Sequence, residues 1–157
     1  MYKRVLIPVD GSEVAVAVLP FLLGIAGPLD FEVVLLRVQH PMPPMAIEGT
    51  RYFHLEDLER QREEAFAYLA GLARTLEARG LRVKTAVRIG DAATEILSAA
   101  RDEGVDLIAM TTHGRTGPAR LLLGSVAETV LRHADVPVFL LRQTAKEAAR
   151  SLSEVTR

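Results

Sequence analysis

The 157 residues predict a doubly wound α/β domain, with a five-stranded parallel sheet and helices on both faces. Three observations carry this. Short β-branched apolar runs alternate with helical stretches five times along the chain. Several of those runs are continuously apolar rather than alternating, as in strands buried on both faces. Each intervening segment is long enough to return the chain parallel to itself, and such crossovers carry a helix.

The first strand is Arg4 to Val9, bounded by Asp10-Gly11. Ser12 is placed to cap the helix that follows. That helix is apolar around most of its circumference and so reads as one covered by protein, with Pro20 bending or dividing it. Phe31 to Val38 is the second strand and ends at Gln39-His40-Pro41. From there to Phe53 the prolines and Gly49 forbid regular structure, which marks residues 39–53 as an irregular loop serving as a lid, a partner surface or a mobile link.

His54 to Arg79 is the clearest helix. Leu55, Leu58, Ala65, Leu69, Leu72 and Leu76 share one side, Glu56, Arg60 and Glu63 lie opposite, and Gly80 ends it. Leu81 to Ile89 alternates in part, as a strand near a sheet edge does. Gly90-Asp91 then turns into a helix that runs to about Glu103 and stops at Gly104. Leu107 to Thr112 is the fourth strand, Val126 to Ala134 the last helix and Val136 to Leu141 the last strand. After residue 142 the chain is a polar tail, 143–157. Ala145, Ala148, Ala149, Leu152 and Val155 have helical spacing there, in a length that is marginal in water.

The length suits one domain, over residues 1–142, rather than two. With 19 basic and 20 acidic side chains there is no general attraction to nucleic acid or anionic membrane. No cysteine is present, which excludes disulfides, thiolate catalysis and Cys-based metal sites. The uncharged run Val14 to Leu29 is shorter than a bilayer span requires and is broken by Pro and Gly. No secretory pattern opens the chain, so a cytoplasmic protein is expected.

Thr111 to Ser125 joins the fourth strand to the last helix. In a doubly wound sheet, ligands bind beyond the carboxyl ends of the strands where strand order reverses, and the loops after the first and fourth strands are expected to flank that crevice. The first turn of a helix offers unpaired N–H groups and roughly half a positive charge, and glycines let an anion approach the main chain. Gly114, Gly124 and Ser125 are placed to form such a cradle, with Arg115 and Arg120 nearby. Ser125-Val-Ala-Glu128 also has the form of a capping box, and capping is compatible with anion contact. Gly117-Pro118 reads as a turn. Asp10 suits either a strand-end turn or a wall of the crevice. His113 has no carboxylate or nucleophile placed beside it by sequence, and the remaining histidines lack metal-ligand spacing. Neither a P-loop nor a dinucleotide fingerprint is present.

These residues resemble the universal stress protein family over about residues 2 to 142. The resemblance is carried by Arg-Val-Leu-Ile-Pro-Val-Asp-Gly-Ser at 4 to 12, by Gly90-Asp91, and by His-Gly-Arg-Thr-Gly followed by Leu-Leu-Leu-Gly-Ser-Val-Ala-Glu. Its ATP-binding branch has the signature G-x2-G-x9-G-[ST]. Gly114, Gly124 and Ser125 match the later parts, while Thr111 stands at the leading glycine. The resemblance implies strand order 3-2-1-4-5 and a homodimer joined through the last strand. It also implies a nucleotide across strands one and four: Asp10 and Val38 beside the adenine, Met110 and Thr111 beside the ribose, and Gly114, Gly124, Ser125 and Val126 around the phosphates. Mg²⁺ would be held through those phosphates.

The expected function is therefore an ATP-binding regulator with little or no turnover and no part for nucleic acid or membrane. The alternatives are a dimeric interaction module in which Thr111 fills the ribose site, and a slow ATP hydrolase. A β-branched residue forced to φ > 0 at 111 costs about 1–3 kcal/mol, whereas an extended one leaves a hydroxyl to bond a sugar oxygen.

Overall fold

The computed structural model describes residues 2–12, 15, 17–26, 32–41, 51–113 and 124–143. Five parallel strands form one sheet in the order β3-β2-β1-β4-β5, where β1 is Arg4–Pro8, β2 Glu32–Gln39, β3 Arg82–Ile89, β4 Leu107–His113 and β5 Val138–Gln143. The helices are α1 Val18–Ala26, α2 Arg51–Glu77, α3 Ala92–Asp102 and α4 Ser125–His133. The doubly wound class and the strand order expected from the sequence are both present.

Alternation within each strand sorts the core into two layers. Val5, Ile7, Val33, Leu35 and Ala109 face Val18, Leu19 and Leu22 of α1 and Leu69, Ala73 and Leu76 of α2. Leu6, Val34, Leu36, Ile108 and Met110 face Ala93, Ile96 and Ala99 of α3 and Ala127 and Val130 of α4. Strands β1, β2 and β4 are apolar on both sides because both sides are covered. The burial of Leu6, Ile7, Leu35, Leu36 and Ile108 is complete. Fully burying one such side chain contributes roughly 1.5–3 kcal/mol.

Several boundaries differ from the sequence reading, three of them with a physical consequence. Ala15 is helical, Ala17 lies in a turn and α1 resumes at Val18, so Pro20 sits in the first turn of α1. Its missing N–H leaves no helical bond unmade there. Helix α2 begins at Arg51, three residues earlier than expected, which shortens the irregular segment; residues 42–50 lie outside the described residues. The last strand begins at Val138 rather than Val136, because Ala134 to Pro137 is spent leaving α4. At the C-terminus of α2, Gly80 has φ +84° and the Leu81 amide donates back to the Leu76 carbonyl over 3.2 Å, a stop that a side-chain-bearing residue adopts only with strain. Among the described residues no helix is long and apolar enough to cross a membrane. The polar tail lies outside them.

Candidate functional site

The site forms where β1 and β4 part. The β1–β2 ladder runs from Arg4↔Glu32 to Pro8↔Leu36, and β4–β5 from Ile108↔Val138 to His113↔Gln143. Between β1 and β4 only Val5↔Leu107 and Leu6↔Ile108 pair. The cause is in the sequence. Val9 N–H donates to the Leu36 carbonyl at 2.8 Å, so amides at odd positions of β1 face β2 and the amide of position 8 would face β4. Pro8 has no amide hydrogen, and the ladder to β4 ends before it. This gap lies at the point where strand order reverses, between the two strands expected to flank it.

Main-chain groups of β4 line the far side of the gap. Ile108 N–H donates to the Pro137 carbonyl at 3.0 Å, so even positions of β4 direct their amides to β5 and odd positions, Thr111 among them, direct theirs toward β1. The side chain of Thr111 follows the opposite rule. Ala109 packs in the α1/α2 layer, and Thr111, two residues on, shares that side. Its Oγ1 is buried without a hydrogen-bond partner among the described residues. No non-glycine residue among those described has positive φ, so Thr111 is extended. Its hydroxyl therefore lies on the α1/α2 side of the sheet, while its amide is directed toward β1.

The neighbouring Thr112 points into the α3/α4 layer and is only 6% exposed. It lies beneath Gly124, and a Cβ on Gly124 would stand 4.0 Å from Thr112 Oγ1. Gly124 is the N-cap of α4, with φ −60° and ψ 147°, and no side chain caps the helix. This corrects the capping-box expectation. Ser125 is the first helical residue rather than the cap, its carbonyl accepts from Thr129 Oγ1 at 2.9 Å, and Glu128 pairs with Arg132 at 2.8 Å instead of turning back to the cap. Among the described residues no side chain accepts from the first amides of α4, and an anion is a group that such amides suit.

Val38, Met110 and Val126 pack in one apolar cluster on this side of the sheet. Asp10 is exposed at the end of β1, and its Oδ1 accepts from Ser12 N–H at 2.9 Å and Ser12 Oγ at 2.6 Å. The structure thus gathers Val38, Met110 and Val126 in one cluster, while Asp10 follows β1, Thr111 lies in β4 and Gly124–Ser125 open α4. Gly114, Arg115 and Arg120 lie outside the described residues, as does the side chain of His113. Sequence reasoning missed Thr112 and the part played by Pro8. Strand alternation from Met110 and the missing proline amide were the signals available for them.

Away from the gap, Asp91 caps α3, accepting from Thr94 N–H at 3.0 Å and Thr94 Oγ1 at 2.7 Å. The bond from the Thr94 amide, then that from its hydroxyl, holds the Asp91 carboxyl below the usual carboxylate range, with His40 adding a smaller pull.

Fold and site together define a doubly wound α/β protein whose central strands part at the switch point of the sheet. Within that class, the chain belongs to the universal stress protein family: the model of the Universal stress protein family matches residues 1–142. Universal stress protein MJ0531 of Methanocaldococcus jannaschii is 35% identical over 149 residues, covering 94% of this chain and 86% of its own. The solved structure of MJ0577 from the same organism superposes with a TM-score of 0.76 at 34% identity, covering 92% of this chain and 98% of that one. A family protein from Arabidopsis thaliana solved with AMP bound shares the fold at 17% identity, with a TM-score of 0.65 and coverage of 92% and 94%.

Proposed function

We infer that this chain is a regulatory protein that binds ATP in the crevice between β1 and β4. The observation that carries the reading is the uncapped start of α4 at Gly124, standing over the buried Thr112 beside the gap that Pro8 leaves. Helix amides without a side-chain acceptor, next to main chain that has lost its strand partner, suit a ligand with a phosphate at one end and a ring at the other. The spacing Gly114, Gly124, Ser125 fits the family's ATP signature, and the fold holds AMP in the Arabidopsis protein.

In this reading Asp10 and Val38 border the adenine, while Met110 and the main chain of Thr111 border the ribose. Gly114, Gly124, Ser125 and Val126 surround the phosphates. Because Thr111 would serve through its backbone, a side chain at the signature's leading glycine is compatible with binding. Mg²⁺ would travel on the phosphates. Among the described residues no group of three His, Cys, Asp or Glu could hold a metal, so the chain's own part is to present amides to the phosphates and leave their outer oxygens to the cation. These groups bind and orient a nucleotide without moving a proton, which is why we place the protein among regulators rather than hydrolases.

Calorimetric titration with ATP and Mg²⁺ tests the reading. Saturable binding with a Kd below about 1 mM, equivalent to roughly 4 kcal/mol, is expected. Gly124→Asp should abolish it by setting a carboxylate against the phosphates. Absence of binding by the parent protein at millimolar nucleotide overturns the reading, and phosphate release abolished by Gly124→Asp would move the protein to the hydrolases.

We further propose a homodimer through β5, which is an edge strand of the sheet and carries the apolar run Val138 to Leu141. Sedimentation at micromolar protein should give twice the chain mass, and a monomer mass would refute it.

A further inference from the structure

Two nitrogens of an arginine on the core side of the sheet have no acceptor among the described residues. Arg37, near the end of β2, points into the α1/α2 layer, where its Nε and Nη1 are buried and unpartnered among the described residues. Its guanidinium lies over the ring of Tyr68 from α2, 5.9 Å from the centroid. On its other side is the turn that follows β1. A Cβ on Gly11 would stand 2.7 Å from Arg37 Nη1, and Gly11 itself has φ +88°. Arg37 therefore occupies the space that any other residue at position 11 would need.

Two buried guanidinium nitrogens that meet no acceptor weaken a fold, since those donors have lost water and gained no partner. Replacing such an arginine with an apolar side chain of similar volume is commonly neutral or stabilising. Stability alone gives no reason for a cation here, and the element it lies against is the turn at Gly11 that follows β1. Tyr68 reports the same neighbourhood electrostatically. Burial raises its hydroxyl pKa, Arg37 acts in the lowering direction, and Asp10 adds to the rise.

We propose that Arg37, backed by Tyr68, is a positioning residue that holds the Asp10–Gly11–Ser12 turn in the shape that receives the nucleoside half of the ligand. The proposal rests on the nucleotide reading for its ligand and on the Arg37–Gly11 contact for its mechanism. Arg37 does not touch the ligand: it lies on the α1/α2 side of the sheet, opposite Val38 and Met110. Its removal loosens the turn, so every ligand sharing the nucleoside is weakened by one common factor, whatever its phosphates.

The test compares the parent protein with Arg37→Met, and with Tyr68→Leu as a second variant should the first not fold. Affinities for ATP and for adenosine are measured by calorimetry and competition, and thermal melting is followed alongside. Arg37→Met is expected to weaken both ligands equally, by about three- to tenfold, while Tm holds or rises. Unchanged adenosine affinity overturns the proposal, as does an affinity loss accompanied by a matching loss of Tm, the mark of a merely structural role. If the parent binds no nucleotide, the nucleotide reading fails on its own, and amide exchange then decides the mechanism. Arg37→Met must speed exchange at Gly11 and Ser12 several-fold and leave Leu107 to Met110 unchanged; equal rates in the two proteins overturn it.

Discussion

Thr112 Oγ1 lies beneath Gly124, 4.0 Å from where a Cβ on that glycine would stand. That is ordinary van der Waals contact, and the φ of −60° at Gly124 is open to any residue. A methyl group therefore fits the protein. Gly124→Ala should lower stability by about 1 kcal/mol, because glycine is preferred to alanine at an N-cap. It should also weaken ATP by about tenfold, roughly 1.4 kcal/mol, because the methyl stands where phosphates would approach the helix amides. Denaturant melts and calorimetry on one preparation separate the two effects, and an unchanged affinity would place the phosphates elsewhere.

Thr111 carries a buried hydroxyl without an acceptor among the described residues, on the α1/α2 side of the sheet. Thr111→Val removes that hydroxyl and should leave stability unchanged or raise it by up to about 1 kcal/mol. Thr111→Gly, which restores the family's leading glycine, should lower stability by about 0.5–1 kcal/mol through strand entropy. Both should bind ATP within about twofold of the parent, since the main chain is the same in all three. A large gain in affinity for Thr111→Gly would show that the side chain does obstruct the site.

Pro8 ends the β1–β4 ladder by withholding an amide. Pro8→Val supplies one, directed at β4, and should let the strands pair one step further. The new amide is expected to be protected from exchange, and the narrowed gap to weaken ATP by about threefold or more. Exchange at a solvent-like rate would mean that something other than the missing donor parts the strands.

The Asp91 carboxyl, held low by Thr94, links α3 to pH. Its folded pKa lies below its unfolded value, so its contribution is fully present above the unfolded carboxylate range and is lost as pH falls through the folded one. Stability should therefore drop on acidification more steeply in the parent than in Asp91→Ala, which is less stable near neutrality and converges with the parent in acid. Urea melts across the acidic range check the convergence; parallel curves would contradict the capping role.

Much of the fold was legible because its signals are local. Continuous apolar runs such as Val33 to Leu36 mark strands covered on both faces, and the spacing of Ala65, Leu69 and Leu76 marks the buried side of α2. Boundaries were read less well. The start of α2 at Arg51 follows a proline-rich stretch whose composition suggested a longer loop, and composition does not report where helical bonding begins. At the site, the glycine spacing marks Gly124, but the Ser-x-x-Glu spacing points to Ser125 as the cap, whereas the helix begins one residue earlier with Gly124 in that place.

By itself the chain determined the periodicities, the turn residues and the missing amide of Pro8, since each acts on its immediate neighbours through sterics or hydrogen bonding. The sequence also carried enough of the family's motif to name the strand order. Only the tertiary structure decided that Thr111 turns its side chain from the crevice while Thr112 supports Gly124, and that Arg37 meets Gly11 and Tyr68. Those relationships join residues from different strands and helices, so they exist only once the sheet's register has set which side each strand residue faces.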